Sequence, residues 1–240
     1  EEGMVGDVQP AGNRRVLSAH APVRVAGLER ITQIAVAGTH NLALTDTGTV
    51  MAWGSNRSGE LGVGTRETGW TPVPVSGLDD VVHIAAGNAA SHGVSGAVRR
   101  DGTVWMWGSG ASAAMAVGQG ALSPDNPGGR NLVPMQVKGI TTAQQLEIGG
   151  GNVAALLRDG TLRMWGHNGF GEMGVPTSGA YATTPVKVTS LTKVVAVYLG
   201  NMRSSAVLAD GSFWIWGFGN GSSHPVLGKN LKVPTRLDLP

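Results

Sequence analysis

A phrase of eight residues, Asp-Gly-x-(Val/Leu/Phe)-x-x-Trp-Gly with Thr replacing Asp in its first copy, recurs along this chain. Its four copies occupy residues 47–54, 101–108, 159–166 and 210–217. Successive tryptophans of the phrase are 54, 58 and 51 residues apart. Self-similarity at such a period is typical of repeat architectures, in which each unit buries its apolar face against its neighbours. The chain is therefore predicted to fold as an array of similar units.

Each phrase is predicted to form the second half of a β-hairpin. The turn needs glycine because glycine readily adopts positive φ angles, and the residues after it alternate as in a half-buried strand. The four turn glycines are Gly48, Gly102, Gly160 and Gly211. The four phrase tryptophans, Trp53, Trp107, Trp165 and Trp216, are expected to pack in the core. Two apolar runs precede each turn, so three strands are predicted for each unit.

A fourth strand is predicted from a proline that precedes alternating residues. Such prolines stand at positions 22, 72, 134, 185 and 234. Because proline cannot donate to a strand ladder, this strand belongs at a sheet edge. Four strands per period predict an all-β fold of the β-propeller type. We expect one domain over 1–240, with repeats at 22–71, 72–133, 134–184 and 185–240 and with 1–21 as the tail of a preceding unit.

The full repeat pattern resembles the regulator-of-chromosome-condensation repeat family. The best copy runs from Pro22 to Gly64 and ends in the segment Asn-x-x-Gly-Glu-Leu-Gly. The third copy keeps this segment from Asn168 to Gly174, whereas the second has lost it and the fourth lacks its glutamate. The resemblance implies a β-propeller that binds partners through one face. The plain, glycine-rich repeats suggest a bacterial member that is secreted or periplasmic.

The repeat count predicts an incomplete ring. The proline-led strand occurs five times, although the phrase occurs four times. Residues 3–6 also resemble the Leu-Gly-x-Gly tail of a unit. Four periods are expected to form a partial propeller or an arc of a larger ring, with sheet edges exposed at each end. Other chains are therefore candidates for completing the propeller.

Composition excludes several classes of function. The 18 basic and 16 acidic residues give a formal charge of +2, and no run of lysine or arginine suggests nucleic-acid binding. No apolar stretch approaches the roughly 20 residues of a membrane span, so no membrane insertion is expected. The absence of cysteine excludes disulfides, thiolate metal sites and a cysteine nucleophile.

Catalytic, cofactor and metal sites are not predicted, and the protein is expected not to be an enzyme. The six histidines fall at different phases of the repeat, so they form no ring of equivalent ligands. His40 is interpreted as a structural histidine, and Glu60 and Glu172 as caps of loop amides. Asp101 and the other turn aspartates are expected to accept backbone N–H bonds.

Candidates for partner binding are residues that depart from the repeat. Trp70 is predicted to lie in a loop, as an exposed aromatic residue suited to a binding hot spot. The irregular segment 109–130 is either a tolerated insertion or a binding loop. His167 and Tyr181 are also predicted to lie in loops. The remaining candidates, Met115, Leu122, Asp125 and Arg130, come from the 109–130 segment.

Three functions are compatible with these features. The leading hypothesis is a non-enzymatic protein-interaction module that binds another protein through its propeller loops. An alternative is a guanine-nucleotide exchange factor for a small GTPase, for which only the 109–130 segment is long enough to supply a wedge. A third is a carbohydrate-binding propeller that uses Trp70 and Tyr181. Nucleotide-release assays and glycan arrays distinguish these alternatives from the first.

Overall fold

A computed structural model describes residues 22–89, 92–109, 130–176, 179–222 and 226–238. The regular structure in these ranges consists of sixteen β-strands in four antiparallel sheets of four strands each. The predicted all-β propeller fold is confirmed, and each sheet is one blade. Within the same ranges, no helix is long and apolar enough to cross a membrane.

Each blade is built from four strands that are consecutive in the chain. Blade 1 comprises β1 (Ile31–Val36), β2 (His40–Thr45), β3 (Val50–Gly54) and β4 (Gly69–Pro74). Blade 2 comprises β5 (Val81–Ala89), β6 (His92–Arg99), β7 (Val104–Gly108) and β8 (Asn131–Gln136). Blade 3 comprises β9 (Ala143–Ile148), β10 (Asn152–Leu157), β11 (Leu162–His167) and β12 (Tyr181–Lys187). Blade 4 comprises β13 (Val194–Leu199), β14 (Arg203–Leu208), β15 (Phe213–Gly217) and β16 (Leu231–Arg236).

The phrase hairpins form as the turn chemistry requires. Each hairpin joins the second and third strands of a blade, with Leu44 opposite Val50 in blade 1 and Leu156 opposite Leu162 in blade 3. The four turn glycines have φ angles between +77° and +85°. This left-handed conformation is readily adopted by glycine, because other residues bring Cβ against the backbone. The Asp101 carboxylate accepts the Thr103 backbone N–H at 2.9 Å, as expected of a turn aspartate.

The proline-led strands lie at the outer edge of the sheets, but each completes the blade before it. β4 pairs with β3, and β8 pairs with β7. The sequence repeats that start at these prolines are therefore one strand out of phase with the blades. Residues 22–25 were expected to form the first strand of this type and form none. The reason is that such a strand pairs with the third strand of a preceding blade, which the described residues do not contain.

The core lies between neighbouring blades. Leu42 and Leu44 of blade 1 pack with Ile84 and Trp107 of blade 2. Equivalent clusters join blades 2 and 3 around Trp165, and blades 3 and 4 around Trp216. Trp107, Trp165 and Trp216 are fully buried, and Trp53 is 6% exposed. Each blade is thus stabilised mainly by its neighbours, as repeat arrays are.

Candidate protein-binding face

The strand order separates two faces of the propeller. The hairpin turns, such as 46–49 and 158–161, lie on one side, which we call the turn face. The connections between third and fourth strands, such as 55–68 and 168–180, lie on the opposite side, which we call the loop face. Because loops carry variable side chains on a rigid scaffold, the loop face is the candidate site.

Two connections on the loop face are held rigid by a buried asparagine and a buried glutamate. In blade 1, Asn56 Oδ1 accepts the Leu61 N–H at 2.9 Å, and Glu60 Oε2 accepts the Ser58 N–H at 2.7 Å. Glu60 is 2% exposed. The interpretation of Glu60 as a cap of loop amides is confirmed, because its carboxylate lies inside the loop.

Blade 3 repeats this arrangement with a different loop sequence. Asn168 Oδ1 accepts the Met173 N–H at 3.0 Å, and Glu172 Oε2 accepts the Phe170 N–H at 2.8 Å. Glu172 is also 2% exposed. The loop backbone is therefore fixed by internal hydrogen bonds, so the side chain at 170 can vary without loss of these bonds.

The same two loops join blade 1 to blade 2 and blade 3 to blade 4. The Glu60 carbonyl oxygen accepts the Trp107 indole N–H at 2.8 Å and the Ser95 hydroxyl at 2.8 Å. Buried polar groups of this kind are costly unless they are paired, and here each donor has its acceptor. The Glu172 carbonyl oxygen receives the equivalent pair, from Trp216 at 2.7 Å and from Ser204 at 2.7 Å.

His40 belongs to this structural network. Its Nε2 lies 2.8 Å from the Ser95 hydroxyl, and the residue is fully buried. Desolvation by burial lowers the pKa of His40 to about 4. The imidazole is therefore neutral near pH 7. In blade 3, Asn152 occupies the equivalent position and donates to the Ser204 hydroxyl at 3.2 Å. The structural role predicted for His40 is confirmed by these contacts.

A cluster of side chains stands out on the loop face of blades 3 and 4. We call it the aromatic patch; it consists of His167, Phe170, Tyr181, Met202 and Phe218. The Phe170 and Phe218 rings meet edge to face with centroids 4.8 Å apart. The His167 ring lies 6.2 Å from the Phe170 ring, and its Nδ1 is hydrogen-bonded to Glu172 Oε1 at 2.7 Å.

Most of the aromatic patch is accessible to a partner. Tyr181 is 57% exposed, Met202 is 41% exposed and Phe218 is 40% exposed. Tyr181 lies directly opposite His167 across the β11 and β12 pair. The Phe218 N–H donates to the Met202 carbonyl oxygen at 2.8 Å, which holds these two residues together. Three separate connections therefore converge on one apolar surface.

A cleft of about 580 Å³ adjoins the aromatic patch. It lies between the 168–180 connection and Lys232, and its walls include Gly169, Gly171 and Val175. Because glycines have no side chain, backbone groups line part of the cleft. Lys232 supplies the cleft with a positive charge.

The loop face is positively charged over the described residues. Its cationic side chains are Arg57, Arg66, Arg130, Arg203, Lys229 and Lys232. In the same part of the chain, its carboxylates are Glu67, which is exposed, the half-buried Glu147 near the end of β9, and the buried Glu60 and Glu172. The turn face carries the turn aspartates, such as Asp101 and Asp159. Beside these aspartates the turn face carries basic side chains, among them Arg99, Arg100 and Arg158, so its charges largely balance.

The structure places the predicted partner-binding residues differently from the expectation in three cases. Trp70 is the second residue of β4 and is half-buried, so its assignment to a loop was wrong. The reason is that Gly69 pairs with Gly54, which starts the strand before Pro72. His167 and Tyr181 also lie in strands, as the last residue of β11 and the first of β12.

His167 and Tyr181 come together, but Trp70 does not join them. Trp70 lies in blade 1 and Tyr181 in blade 3, with blade 2 between them. Arg130 is half-buried immediately before β8. Met115, Leu122 and Asp125 lie outside the described residues.

Sequence reasoning missed Phe170, Met202 and Phe218. One signal was present: the residue after each Trp-Gly pair is Ser55 in blade 1 and Ser109 in blade 2, and both serines are buried. At the same position, blades 3 and 4 carry His167 and Phe218. The repeat folds with a small buried serine at this position. A large side chain there is therefore not required for folding and marks a candidate functional residue. In the described part of the chain, histidine and acidic side chains form no group of three or more that could hold a metal ion.

Comparison with known proteins identifies the repeat. Residues 31–60 and 47–92 match family models described as the regulator of chromosome condensation (RCC1) repeat. The RCC1 domain-containing protein RUG3, mitochondrial, of Arabidopsis thaliana is 30% identical over 195 residues, which are 78% of this chain and 42% of that protein. The chain belongs to the RCC1 repeat family.

A further relative is Protein pim1 of Schizosaccharomyces pombe, which is 28% identical over 209 residues. That match covers 79% of this chain and 37% of that protein. The chain thus spans less than half the length of either relative. The crystal structure of human WBSCR16 superposes with a TM-score of 0.77 at 21% identity, over 99% of this chain and 60% of that one, which bears on the fold alone. These relatives are eukaryotic and give no support to a bacterial origin or to secretion.

Proposed function

We propose that this RCC1-repeat chain is a non-enzymatic protein-interaction module that binds its partner through the aromatic patch of the loop face. The observation that carries the proposal is the exposure of Tyr181, Met202 and Phe218 on a scaffold fixed by internal hydrogen bonds. Aromatic side chains at the centre of a rigid surface are the usual anchors of protein interfaces.

The position of Phe218 supports a binding role over a structural one. Blades 1 and 2 build the same connection with a buried serine, so the fold does not require an aromatic side chain there. The Phe218 ring instead packs on Phe170 and remains 40% exposed. A phenylalanine kept partly in water loses hydrophobic free energy that a partner would recover, at about 25 cal/mol for each Å² it covers.

The charges around the aromatic patch define the partner's chemistry. Lys229 and Lys232 are exposed near it, and exposed carboxylates on the described loop face are confined to Glu67. The partner is therefore a protein segment with an apolar side chain for the patch and carboxylates beside it. Because charge attraction at an exposed rim is screened by salt, complex formation will weaken as ionic strength rises.

The test cross-links the native protein to its partners in an extract of its own cells. The amount of partner recovered with the protein is then measured. A double variant, Phe218→Ser with Tyr181→Ser, is compared with Val133→Ser. The first removes two exposed aromatic side chains of the patch and installs at 218 the residue that blades 1 and 2 carry. The second changes an apolar side chain that is 44% exposed on β8.

We expect the double variant to recover the partner at least tenfold less than the wild type, at an unchanged unfolding midpoint. Val133→Ser is expected to retain it. A partner recovered equally by all three proteins places the interface elsewhere and refutes the proposal. If binding of the partner is insensitive to salt, the proposal that the partner carries carboxylates is refuted.

The two alternatives gain no support from a described contact. The exchange-factor hypothesis depends on the 109–130 segment, of which the structure describes residue 109 and residue 130. The carbohydrate hypothesis needs Trp70 and Tyr181 in one site, and they lie in separate blades. A nucleotide-release assay and a glycan array test these two functions. Secretion stays a prediction that cell fractionation can test.

A further inference from the structure

Five places in the sequence have an asparagine or aspartate directly before a glycine. The Asn-Gly pairs are residues 168–169 and 220–221, and the Asp-Gly pairs are the hairpin turns at 101–102, 159–160 and 210–211. Because glycine has no side chain, its backbone nitrogen can approach the carbonyl carbon of the preceding side chain closely. Attack by that nitrogen forms a cyclic imide. All five pairs are therefore candidates for a spontaneous change of covalent structure, and the structure distinguishes between them.

The three Asp-Gly turns are protected twice. The backbone N–H groups of Gly102, Gly160 and Gly211 donate to carbonyl oxygens at 2.9, 3.0 and 2.9 Å, so these nitrogens are engaged. Hydrogen bonds from the residue two positions later lower the pKa of each aspartate. The three carboxylates are therefore ionised near pH 7. An ionised carboxylate resists attack by a nitrogen nucleophile.

The Asn168-Gly169 pair is held at both ends of its side-chain amide. Asn168 Oδ1 accepts the Met173 N–H at 3.0 Å, and Nδ2 donates to the Val175 carbonyl oxygen at 3.4 Å. The residue is 8% exposed. Turning the amide carbon toward the Gly169 nitrogen would break both hydrogen bonds in a buried site, which is costly. This pair is therefore also protected.

The Asn220-Gly221 pair lies open on the loop face. Asn220 is exposed in the connection between β15 and β16, two residues after Phe218. Its Oδ1 accepts the Ser222 N–H at 3.0 Å, which bends the side chain back along the Gly221 peptide. A Cβ at Gly221 would meet nothing within 4 Å, and no described residue accepts the Gly221 N–H. The amide carbon and the attacking nitrogen are thus adjacent and unprotected.

We propose that Asn220 is a site of spontaneous deamidation. The Gly221 nitrogen loses its proton to solvent and bonds to the Asn220 amide carbon. The bond from that carbon to Nδ2 then breaks, and Nδ2 takes up a proton and leaves as ammonia. Water adds to one of the two imide carbonyl groups and breaks its bond to the ring nitrogen. The product is aspartate or isoaspartate, and the net reaction consumes one water and releases one ammonia without oxidation or reduction.

The new carboxylate changes the charge of the binding face. It lies in the same connection as Phe218 and Lys229, on a face whose exposed charges are mainly positive. A partner that carries carboxylates then meets a like charge beside the aromatic patch, which disfavours the complex. Deamidation therefore weakens the partner complex as the protein ages. This consequence rests on the function proposed above, whereas the deamidation itself does not.

The first experiment incubates the native protein in neutral and mildly alkaline buffer and follows its peptides by mass spectrometry. A synthetic peptide of residues 218–222 gives the rate without the fold. We expect Asn220 to react at a rate close to that of the peptide, and on the order of tenfold or more faster than Asn168, which must first give up its hydrogen bonds. The rate should rise with pH, because the attacking nitrogen must lose a proton.

Asn220→Gln is the matched variant, because its longer side chain does not form the five-membered imide. We expect no conversion at position 220 in this variant and unchanged behaviour of Asn168. An Asn220 that stays intact while the synthetic peptide reacts to completion overturns the proposal. Conversion of Asn168 as fast as that of Asn220 does so too, because the hydrogen bonds then give no protection.

The second experiment measures recovery of the cross-linked partner by Asn220→Asp and Asn220→Gln. We expect Asn220→Asp to recover less partner than Asn220→Gln, with a larger difference at low salt. Equal recovery by the two variants overturns the effect of deamidation on binding. The mass measurement needs no partner, so it tests the modification separately from the binding function.

Discussion

At the residue scale, the tryptophans divide by burial. Trp165 is fully buried between blades 2 and 3, whereas Trp70 is half-buried on the outer strand β4. We predict that Trp165→Ala lowers the free energy of unfolding by about 3–5 kcal/mol, because it removes a buried aromatic ring. Trp70→Ala is expected to cost less than half as much. Equilibrium unfolding in urea measures both values, and equal losses would contradict this division.

His40 gives the protein a pH dependence whose sign follows from its burial. The pKa falls from 6.5 to about 4 on folding, so the unfolded chain binds the proton more tightly. The neutral imidazole therefore contributes stability that is fully present above pH 6.5 and is lost as the pH falls toward 4. From this shift, the loss is about 3 kcal/mol.

Asparagine at position 40 is the matched control, because Asn152 fills the same place in blade 3. We predict that His40→Asn makes the unfolding free energy less sensitive to pH between 4 and 6.5 than it is in the wild type. Parallel stability curves for the two proteins over this window would show that His40 does not titrate as its burial requires.

At the element scale, the hairpin turns differ in what surrounds them. Gly102 and Gly211 have φ angles of +85° and +82°. A Cβ at Gly102 would lie 2.5 Å from the Thr141 carbonyl oxygen, whereas one at Gly211 would meet nothing within 4 Å. We predict that Gly211→Ala costs about 1–2 kcal/mol from the backbone conformation alone. Gly102→Ala should cost more, because the next connection must also move, and thermal unfolding of the pair tests the order.

The elements that sequence predicted well are those set by local chemistry. Glycine turns and strand alternation depend on residues that are adjacent in the sequence, so the hairpin around Gly160 could be predicted. The partner of the proline-led strand could not, because pairing with the preceding blade is a long-range choice. Trp70 was misplaced for the same reason. Phe170 and Phe218 meet although 48 residues separate them, so the aromatic patch required the fold to be known.

At the scale of the whole molecule, stability arises mainly from the contacts between neighbouring blades. Ser95 belongs to the lock between blades 1 and 2, and Ser204 to the lock between blades 3 and 4. We predict that Ser95→Ala increases amide hydrogen exchange mainly in blades 1 and 2, and Ser204→Ala mainly in blades 3 and 4. Mass spectrometry of exchanging peptides locates the change. A uniform increase over all four blades would show one cooperative unit instead.

The direction of these locks has a consequence for how the protein is made. In both locks the carbonyl belongs to the earlier blade and the indole to the later one, with 47 residues between Glu60 and Trp107 and 44 between Glu172 and Trp216. A ribosome releases the chain from its N-terminal end, so each acceptor emerges before the donor that secures it. Until the later blade has left the ribosome, the loop carbonyl of the earlier blade lacks its indole donor. We therefore expect these two locks to form in the order of translation, each only after its later blade has left the ribosome.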